Sequence, residues 1–305
     1  MGMMDGKAVL VTGAGRGVGR GIALEYARAG AAVVVNDLGV ALNGEGEAEG
    51  ASPAEQVVEE IRAAGGRAIA NHDSVADFAG ACAMVTAAVD AFGRIDAVVN
   101  NAGNLRDVLF PRMSPDDFDA VIAVHLKGSF NTSRAAAPFF KEQASGAYVH
   151  MTSTSGLVGN LGQANYAAAK LGIVGLSKSI AIDMQRFNVR SNAVAPFAWT
   201  RMVSSIPNET PEQQKRVEGL KKLVAEKIAP FVVALTSDEG ADVTGQIFGV
   251  RNNEIYLFSQ PRPIRTAHTA EGWTPETVAE RVFAQFRNDF YPLHKSGDVF
   301  TWDPV

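Results

Sequence analysis

Cysteine is nearly missing from this chain. One residue, Cys82, occurs among 305, so no intrachain disulfide can form. A lone thiol in the helix-like stretch from Phe78 to Phe92 reads as a small buried hydrophobe, compatible with a reducing compartment. Also lacking are an apolar run long enough to span a bilayer and a charged-then-apolar leader after Met1, so no membrane partner is expected. The final residues Trp302-Asp303-Pro304-Val305 carry no SKL-type peroxisomal address. The expected location is cytoplasmic. A surplus of one charge is missing too: 28 basic against 33 acidic residues give a net charge of −5, which offers nucleic acid no electrostatic case. His72, His150, His268 and His294 show no ligand spacing, and no metal site is expected.

What the chain does have is apolar content, 47%, enough for one large core, and 30 glycines, enough for many short turns. Short apolar runs alternate with amphipathic stretches. Lys7–Thr12, Ala32–Val35, Arg67–Ala70, Ile95–Val99, Ala147–Met151, Val189–Val194 and Gly245–Val250 read as strands. Between them lie helical patterns after Gly19, over Ala54–Ala64 and Asp77–Phe92, from Ser114-Pro115 onward, and around Tyr166 to about Phe187. That order predicts an α/β fold, a doubly wound parallel sheet of Rossmann type with helices on both faces. Residues 1–250 make one α/β domain, and 251–305 a C-terminal extension.

Two constellations carry chemistry. The first is strand, glycine loop, helix, strand and acid: Gly13-Ala14-Gly15-Arg16-Gly17-Val18-Gly19 follows the first strand, and Asp37 ends the second. Glycines let backbone amides approach a pyrophosphate, the helix N-terminus favours the anion, and the carboxylate accepts from ribose hydroxyls. The second is Ser153 with Tyr166 and Lys170. Tyr and Lys four residues apart share a helix face. An ammonium beside a phenol favours the phenolate, making a base of a group whose pKa is ordinarily about 10. Ser153, just past a strand, can hold a substrate oxygen beside Tyr166.

Together these motifs resemble the short-chain dehydrogenase/reductase family over roughly the first 250 residues. Thr12, Gly13, Gly17 and Gly19 match its TGxxxGxG pattern, and Asn100-Asn101-Ala102-Gly103 matches its motif after the fourth strand. The resemblance implies a nicotinamide cofactor with its pyrophosphate along Gly13, Arg16, Gly17, Val18 and Gly19. It implies ribose on Asp37, adenine near Asp73 and Ser74, and Asn101, Ala102 and Gly103 along the ribose side. Tyr166 is then the general base, Ser153 steadies the carbonyl oxygen, and Lys170 binds the nicotinamide ribose. Pro196-Phe197-Ala198-Trp199-Thr200 replaces a commoner PG-containing loop, with Thr200 reaching towards the carboxamide. His125 stands where most members have an Asn that positions water. It reads either as polar scaffolding in a helix kink or as a proton relay between Lys170 and solvent. With Gly159–Tyr166 and the extended tail, it resembles the (3R)-hydroxyacyl-CoA dehydrogenase segment of peroxisomal multifunctional enzymes and stand-alone bacterial relatives.

The expectation is an NAD-dependent oxidoreductase acting on a 3-hydroxyacyl-CoA or hydroxysteroid-like alcohol. Asp37 repels the 2′-phosphate of NADP, whereas Arg16 sits where NADPH-using relatives place a base. The alternative is therefore an NADPH-dependent 3-ketoacyl (ACP or CoA) reductase; a non-enzymatic dinucleotide sensor ranks last, since Tyr166 and Lys170 are both kept. Residues 197–230, polar and charged, read as a lid or as a solvated surface helix. Glu254–Phe258 reads as a further strand and Trp273 to about Asn288 as a helix, packed on its own domain or reaching a neighbouring subunit. The resemblance also implies a homodimer or homotetramer.

Overall fold

The computed structural model describes residues 2–41, 43, 46, 52–199 and 210–304. Eight strands form one sheet: β1 (Ala8–Thr12), β2 (Ala32–Asn36), β3 (Arg67–Asn71), β4 (Ala97–Asn100), β5 (Gly146–Met151), β6 (Val189–Phe197), β7 (Ile247–Arg251) and β8 (Glu254–Leu257). Their order is β3-β2-β1-β4-β5-β6-β7-β8. Every pairing is parallel except β7 with β8, which is antiparallel. The doubly wound expectation therefore holds. β1 and β2 are buried along their whole length, as strands covered on both faces must be, and their sequences run apolar rather than alternating.

In chain order the helices are α1 (Gly17–Arg28), α2 (Pro53–Ala63), α3 (Phe78–Phe92), α4 (Pro115–Ile122), α5 (Gly128–Gln143), α6 (Thr154–Leu157), α7 (Ala164–Met184), α8 (Pro211–Lys221) and α9 (Ala229–Thr236). One core joins the sheet to α1, α2 and α9 through Ile22, Tyr26, Val57, Ile61 and Val232. The other joins it to α3 and α5 through Met84, Val85 and Phe140, with Ile180 and Met184 of α7 against it. Phe140 is fully buried with its ring 4.9 Å from Tyr148, and burying a ring of that size stabilises by about 1.5–3 kcal/mol. Cys82 departs from expectation: it is half-buried and lies at the edge of this second core, not inside it.

The helix begun at Ser114-Pro115 does not run on regularly, in keeping with the kink that one reading of His125 called for. Its start is fixed by a capping box, Ser114 Oγ accepting from Asp117 N–H and Asp117 returning the bond to Ser114 N–H, both at 3.1 Å. It then passes through one π turn, Ala123–Lys127, before continuing as α5. That widened turn carries His125. π turns cluster at functional positions because they re-aim a side chain.

The polar segment expected as a lid is tied at its base by Trp199 N–H donating to Leu223 O at 2.8 Å; Thr200 lies outside the described residues. Beyond β8 the chain runs extended, then as an irregular helix from Pro275 through a π turn at Val278–Val282 to Phe286. Its end returns to the body. Phe300 packs 4.8 Å from Phe197 and 5.5 Å from Tyr256, while Trp302 Nε1 donates to Glu254 at 2.6 Å.

Candidate active site

The chain turns opposite ways out of β1: its partners are β2 on one side and β4 on the other. A crevice opens at the carboxyl ends of such strands, and ligands of open α/β sheets bind there. Gly13 and Gly17 adopt positive φ, +62° and +54°, so the loop after β1 needs residues without Cβ. Gly19 has no room either: a Cβ there would lie 2.2 Å from Gly13 O and 2.4 Å from Asn101 Nδ2. Asn101 braces the loop, donating from Nδ2 to Thr12 O and Gly13 O at 3.0 Å each. Thr12 Oγ1 accepts from the amides of Asn101 and Ala102 at 3.0 and 3.1 Å. β1 and β4 are thereby locked together under the crevice.

No side chain caps the start of α1, and its first turn holds no acid; its orphan amides are donors for an anion. Asp37 closes the far end of this cradle. Its two carboxylate oxygens accept from Gly15 N–H and Gly39 N–H, each at 2.9 Å, which leaves a lone pair on each oxygen for ribose hydroxyls. Asp73 is held by Asn71 at 2.7 Å, and Asn71 by Asn36 at 2.8 Å, at the ends of β3 and β2. Ser74 follows in the same turn, where its Oγ accepts from Ala76 N–H at 3.3 Å. Pro196 lies near the carboxyl end of β6, paired with Val250. Val18 and Arg16 sit at the start of α1, Val18 buried and Arg16 half-buried. The residues present fit a dinucleotide.

Ser153, Tyr166, Lys170 and His125 come together at the other end. Ser153 caps α6, and its hydroxyl sits close enough to Tyr166 to pull the phenol's pKa down. Lys170, one turn along α7 from Tyr166, lies with Nζ 5.4 Å from the phenol ring centre. It donates to Met151 O at 2.6 Å, while its own carbonyl accepts from Thr152 Oγ1 at 2.7 Å. The His125 and Tyr166 rings meet edge to face at 5.1 Å.

The charges differ from the sequence expectation. Burial pushes the Tyr166 phenol up to about 12, against the lowering pull of Ser153 and with Asp107 adding to the rise. Burial pushes Lys170 down to about 7. In the protein alone, desolvation outweighs the expected attraction, and the pair is not a ready phenolate. Burial, helped by Lys170, also drops His125 to about 3, so a relay through its charged form is disfavoured. Its Nε2 lies 2.8 Å from Asn104 O, leaving Nδ1 buried without a hydrogen-bond partner. Gly103 has to be glycine here, since a Cβ would come within 2.3 Å of the His125 ring. The scaffold reading of His125 suits this geometry better.

Three neighbours had no role in the sequence reading: Asp107, Ser155 and Gln163. They flank quoted motifs, but spacing alone does not show that they touch.

The fold and this site define a nicotinamide-dependent oxidoreductase architecture. A family model described as short chain dehydrogenase matches residues 7–210, and the chain belongs to that family. It is therefore an oxidoreductase acting on CH–OH groups. It is 48% identical to the mouse (Mus musculus) peroxisomal multifunctional enzyme type 2 over 246 residues, 81% of this chain and 32% of that one. The chain thus spans about a third of that relative. It is 38% identical to the hydroxyacyl-CoA dehydrogenase ChsB1 of Mycobacterium tuberculosis, covering 89% of this chain and 86% of that protein. Among solved structures, a short chain dehydrogenase from Mycobacterium avium superposes with TM-score 0.83 at 41% identity, covering 95% and 98% of the two chains. A 7α-hydroxysteroid dehydrogenase complexed with NADH and 7-oxo glycochenodeoxycholic acid gives TM-score 0.73 at 30% identity, covering 82% and 94%.

Proposed function

We propose that the protein is an NAD-dependent dehydrogenase interconverting a secondary alcohol and a ketone, with a 3-hydroxyacyl-CoA or a steroid-like alcohol as substrate. The observation that carries this is the placement of Tyr166, beside Ser153 and one helical turn from Lys170, beyond a glycine cradle closed by Asp37. ChsB1 and the 7α-hydroxysteroid dehydrogenase support the two substrate classes by their names.

In this reading the amides from Gly13 to Gly19 hold the pyrophosphate and Asp37 accepts from the adenosine ribose. Asp73 and Ser74 lie near the adenine, and Ala102 and Gly103 line the crevice wall that Asn101 braces. Bound NAD⁺ supplies the hydride acceptor and a positive ring. Lys170 holds ribose hydroxyls on that side. Tyr166 takes the alcohol proton at its phenolate oxygen, or returns it in reduction, while Ser153 holds the same substrate oxygen. General acid–base help of this kind contributes about 10²–10⁴ in rate.

Asp37 also supports NAD over NADP. Its carboxylate is fixed by two amides at the ribose edge, where a 2′-phosphate would meet like charge. Arg16 favours the second reading, an NADPH-dependent 3-ketoacyl reductase. The test is a panel of (3R)- and (3S)-hydroxyacyl-CoA and steroid alcohols, run with NAD⁺ and with NADP⁺. Turnover of one panel class with NAD⁺ is expected; a markedly higher efficiency with NADP⁺ would overturn the cofactor assignment.

The same proposal divides the chain into a catalytic domain, residues 1–250, and an extension, 251–305, packed on its own domain or reaching a neighbouring subunit. It also makes the protein a homodimer or homotetramer, supported by exposed Phe118, Phe130 and Leu171 on α4, α5 and α7. A cytoplasmic location suits its single cysteine.

A further inference from the structure

Ser153 is not an isolated hydroxyl. Its Oγ donates to Ser155 Oγ at 3.2 Å and accepts from Ser155 N–H at 3.1 Å. Ser155, buried, donates to Gln163 Oε1 at 2.8 Å and accepts from Asn160 Nδ2 at 2.9 Å. Gln163 Nε2 then donates to Asp107 Oδ2 at 2.8 Å. The loop carrying Asp107 is pinned on both sides: Arg106 O accepts from Asn165 Nδ2, and Val108 N–H donates to Gly162 O, each at 2.9 Å. Those anchors sit immediately beside Gln163 and Tyr166, so the loop bearing the carboxylate is tied directly to the catalytic segment.

The direction of every bond in this chain follows from its last member. An ionised carboxylate can only accept. Gln163 must therefore turn its NH₂ to Asp107 and its oxygen to Ser155. Ser155 must give its one proton to that oxygen, and its two lone pairs are filled by Asn160 and Ser153. A hydroxyl so saturated cannot donate to Ser153. Ser153 keeps its proton on the donor side, with lone pairs left for Ser155 N–H and the Tyr166 hydroxyl. The 3.2 Å link to Ser155 is the longest of the side-chain bonds, and it is the one a substrate oxygen can replace.

We propose that Asp107 and Gln163 are positioning residues that set the hydrogen-bond polarity of Ser153 through Ser155, holding it as the donor to the oxygen of the reacting alcohol or ketone. This rests on the dehydrogenase reading of Ser153 and Tyr166. Burial raises the Asp107 carboxyl above its ordinary range, with the Gln163 bond working against the rise; the chain keeps its direction while that group stays ionised.

The polarity can be inverted without changing shape. In D107N the new amide can offer N–H to Gln163, which is then free to turn over and lose its command of Ser155. Q163E sets two carboxylates against each other. Combining D107N with Q163E restores the direction, because a carboxylate at position 163 accepts from Ser155 and from the new amide alike. The assay is reduction of acetoacetyl-CoA or a 7-oxosteroid with NADH, whichever the wild type turns over, read on the pH-independent plateau. Each single variant is expected to lose about tenfold in kcat with KM little changed, and the double variant to recover to near wild type. Wild-type kcat in D107N, or a double variant no faster than the singles, overturns the proposal. ¹³C-tyrosine NMR of the NAD⁺-free protein reads the same polarity without turnover. The Tyr166 resonance should move in D107N and return in the double variant, and a resonance unmoved in D107N overturns the proposal equally. Y166F run alongside separates the two failures: an active Y166F sinks the dehydrogenase reading, whereas an inactive one with unaffected D107N sinks only the polarity chain.

Discussion

Residues 8–251 bury the sheet's large apolar side chains on both faces, whereas residues 258–299 leave Ile264, Trp273, Phe283, Phe290, Tyr291 and Leu293 exposed. The first region is held by two cores and continuous strand ladders. The second is held at points: Gln260 to Gly245 O at 2.8 Å, Ser296 N–H to Gly159 O at 2.9 Å, and the aromatic cluster around Phe300. Within the tail, Arg265 pairs with Asp289 at 2.7 Å, an exposed contact of the kind worth little in water. The body's shape is thus fixed by burial, and the tail's by a few directional contacts. Substitutions in the two regions should report on different properties.

The largest effect is expected at the chemical end of the body. Y166F removes the proton acceptor while keeping the ring that packs on His125, so turnover should fall by about 10²–10⁴ with NAD⁺ affinity retained. Steady-state kinetics together with calorimetric NAD⁺ binding checks this; near-normal turnover refutes the role. Next come the glycines. G19A drives a methyl into Gly13 O and Asn101 Nδ2 and should weaken NAD⁺ binding at least tenfold, with a loss of about 1–3 kcal/mol in stability from overpacking. G297A in the tail is its control, since nothing lies within 4 Å of the added Cβ. Equal damage from both substitutions would erase the contrast between the regions.

A smaller effect comes from protons, and only the body should show it. His125 and His150 are buried and pushed from 6.5 down to about 3. The unfolded chain therefore binds protons that the folded one refuses. Their stabilisation is complete above about pH 6.5 and drains away as pH falls towards 3. Lys170, lowered from 10.5 to about 7, acts the same way higher up: stability gains as pH rises from 7 towards 10.5. Tyr166, raised from 10.0 to about 12, opposes it above pH 10. Urea midpoints followed from pH 4 to 10 should show both slopes. H150Q should remove about one proton from the acid slope, and K170M about one from the alkaline slope. A flat profile in the wild type would contradict the burial of these groups.

The body was legible in the sequence because its elements are local and strongly patterned. Val33-Val34-Val35 is a strand wherever it is buried, and the glycine loop admits one backbone path. Cys82 is half-buried rather than buried, a difference of depth that helix periodicity does not fix. A helix kink was one reading of His125, but its form as a π turn becomes visible only when Gly103 and Asn104 are seen packed against the imidazole. The burial acting on Tyr166 and Lys170 was not legible for a related reason: spacing shows that two groups are near, not how much water has been taken from each. Asp107, Ser155 and Gln163 escaped because their association is made in space by two loops. The tail was least legible, since its contacts depend on single residues such as Phe300 and Trp302.

The smallest effect on stability is expected at that aromatic cluster. Phe300 lies against Phe197, Tyr256, Phe258 and Trp302 at 4.8 to 6.3 Å, and Arg251 stacks on the Trp302 ring at 5.4 Å while donating to its carbonyl. Phe300 itself is only half-buried, so part of its surface is already in water. F300A should therefore lower the global urea midpoint by well under the 3–5 kcal/mol that truncating a fully buried Phe costs, about 1 kcal/mol or less. What it should change is local. With its last anchor weakened, the segment between Gln260 and Ser296 should open to protease much faster than in the wild type, while the strands of the body keep their amide protection. F140A supplies the opposite pattern, a large global loss with no selective exposure of the tail, because Phe140 fills the space over Gly146. If F300A instead destabilised the whole chain as F140A does, the tail would belong to the core, and point contacts would no longer describe how it is held.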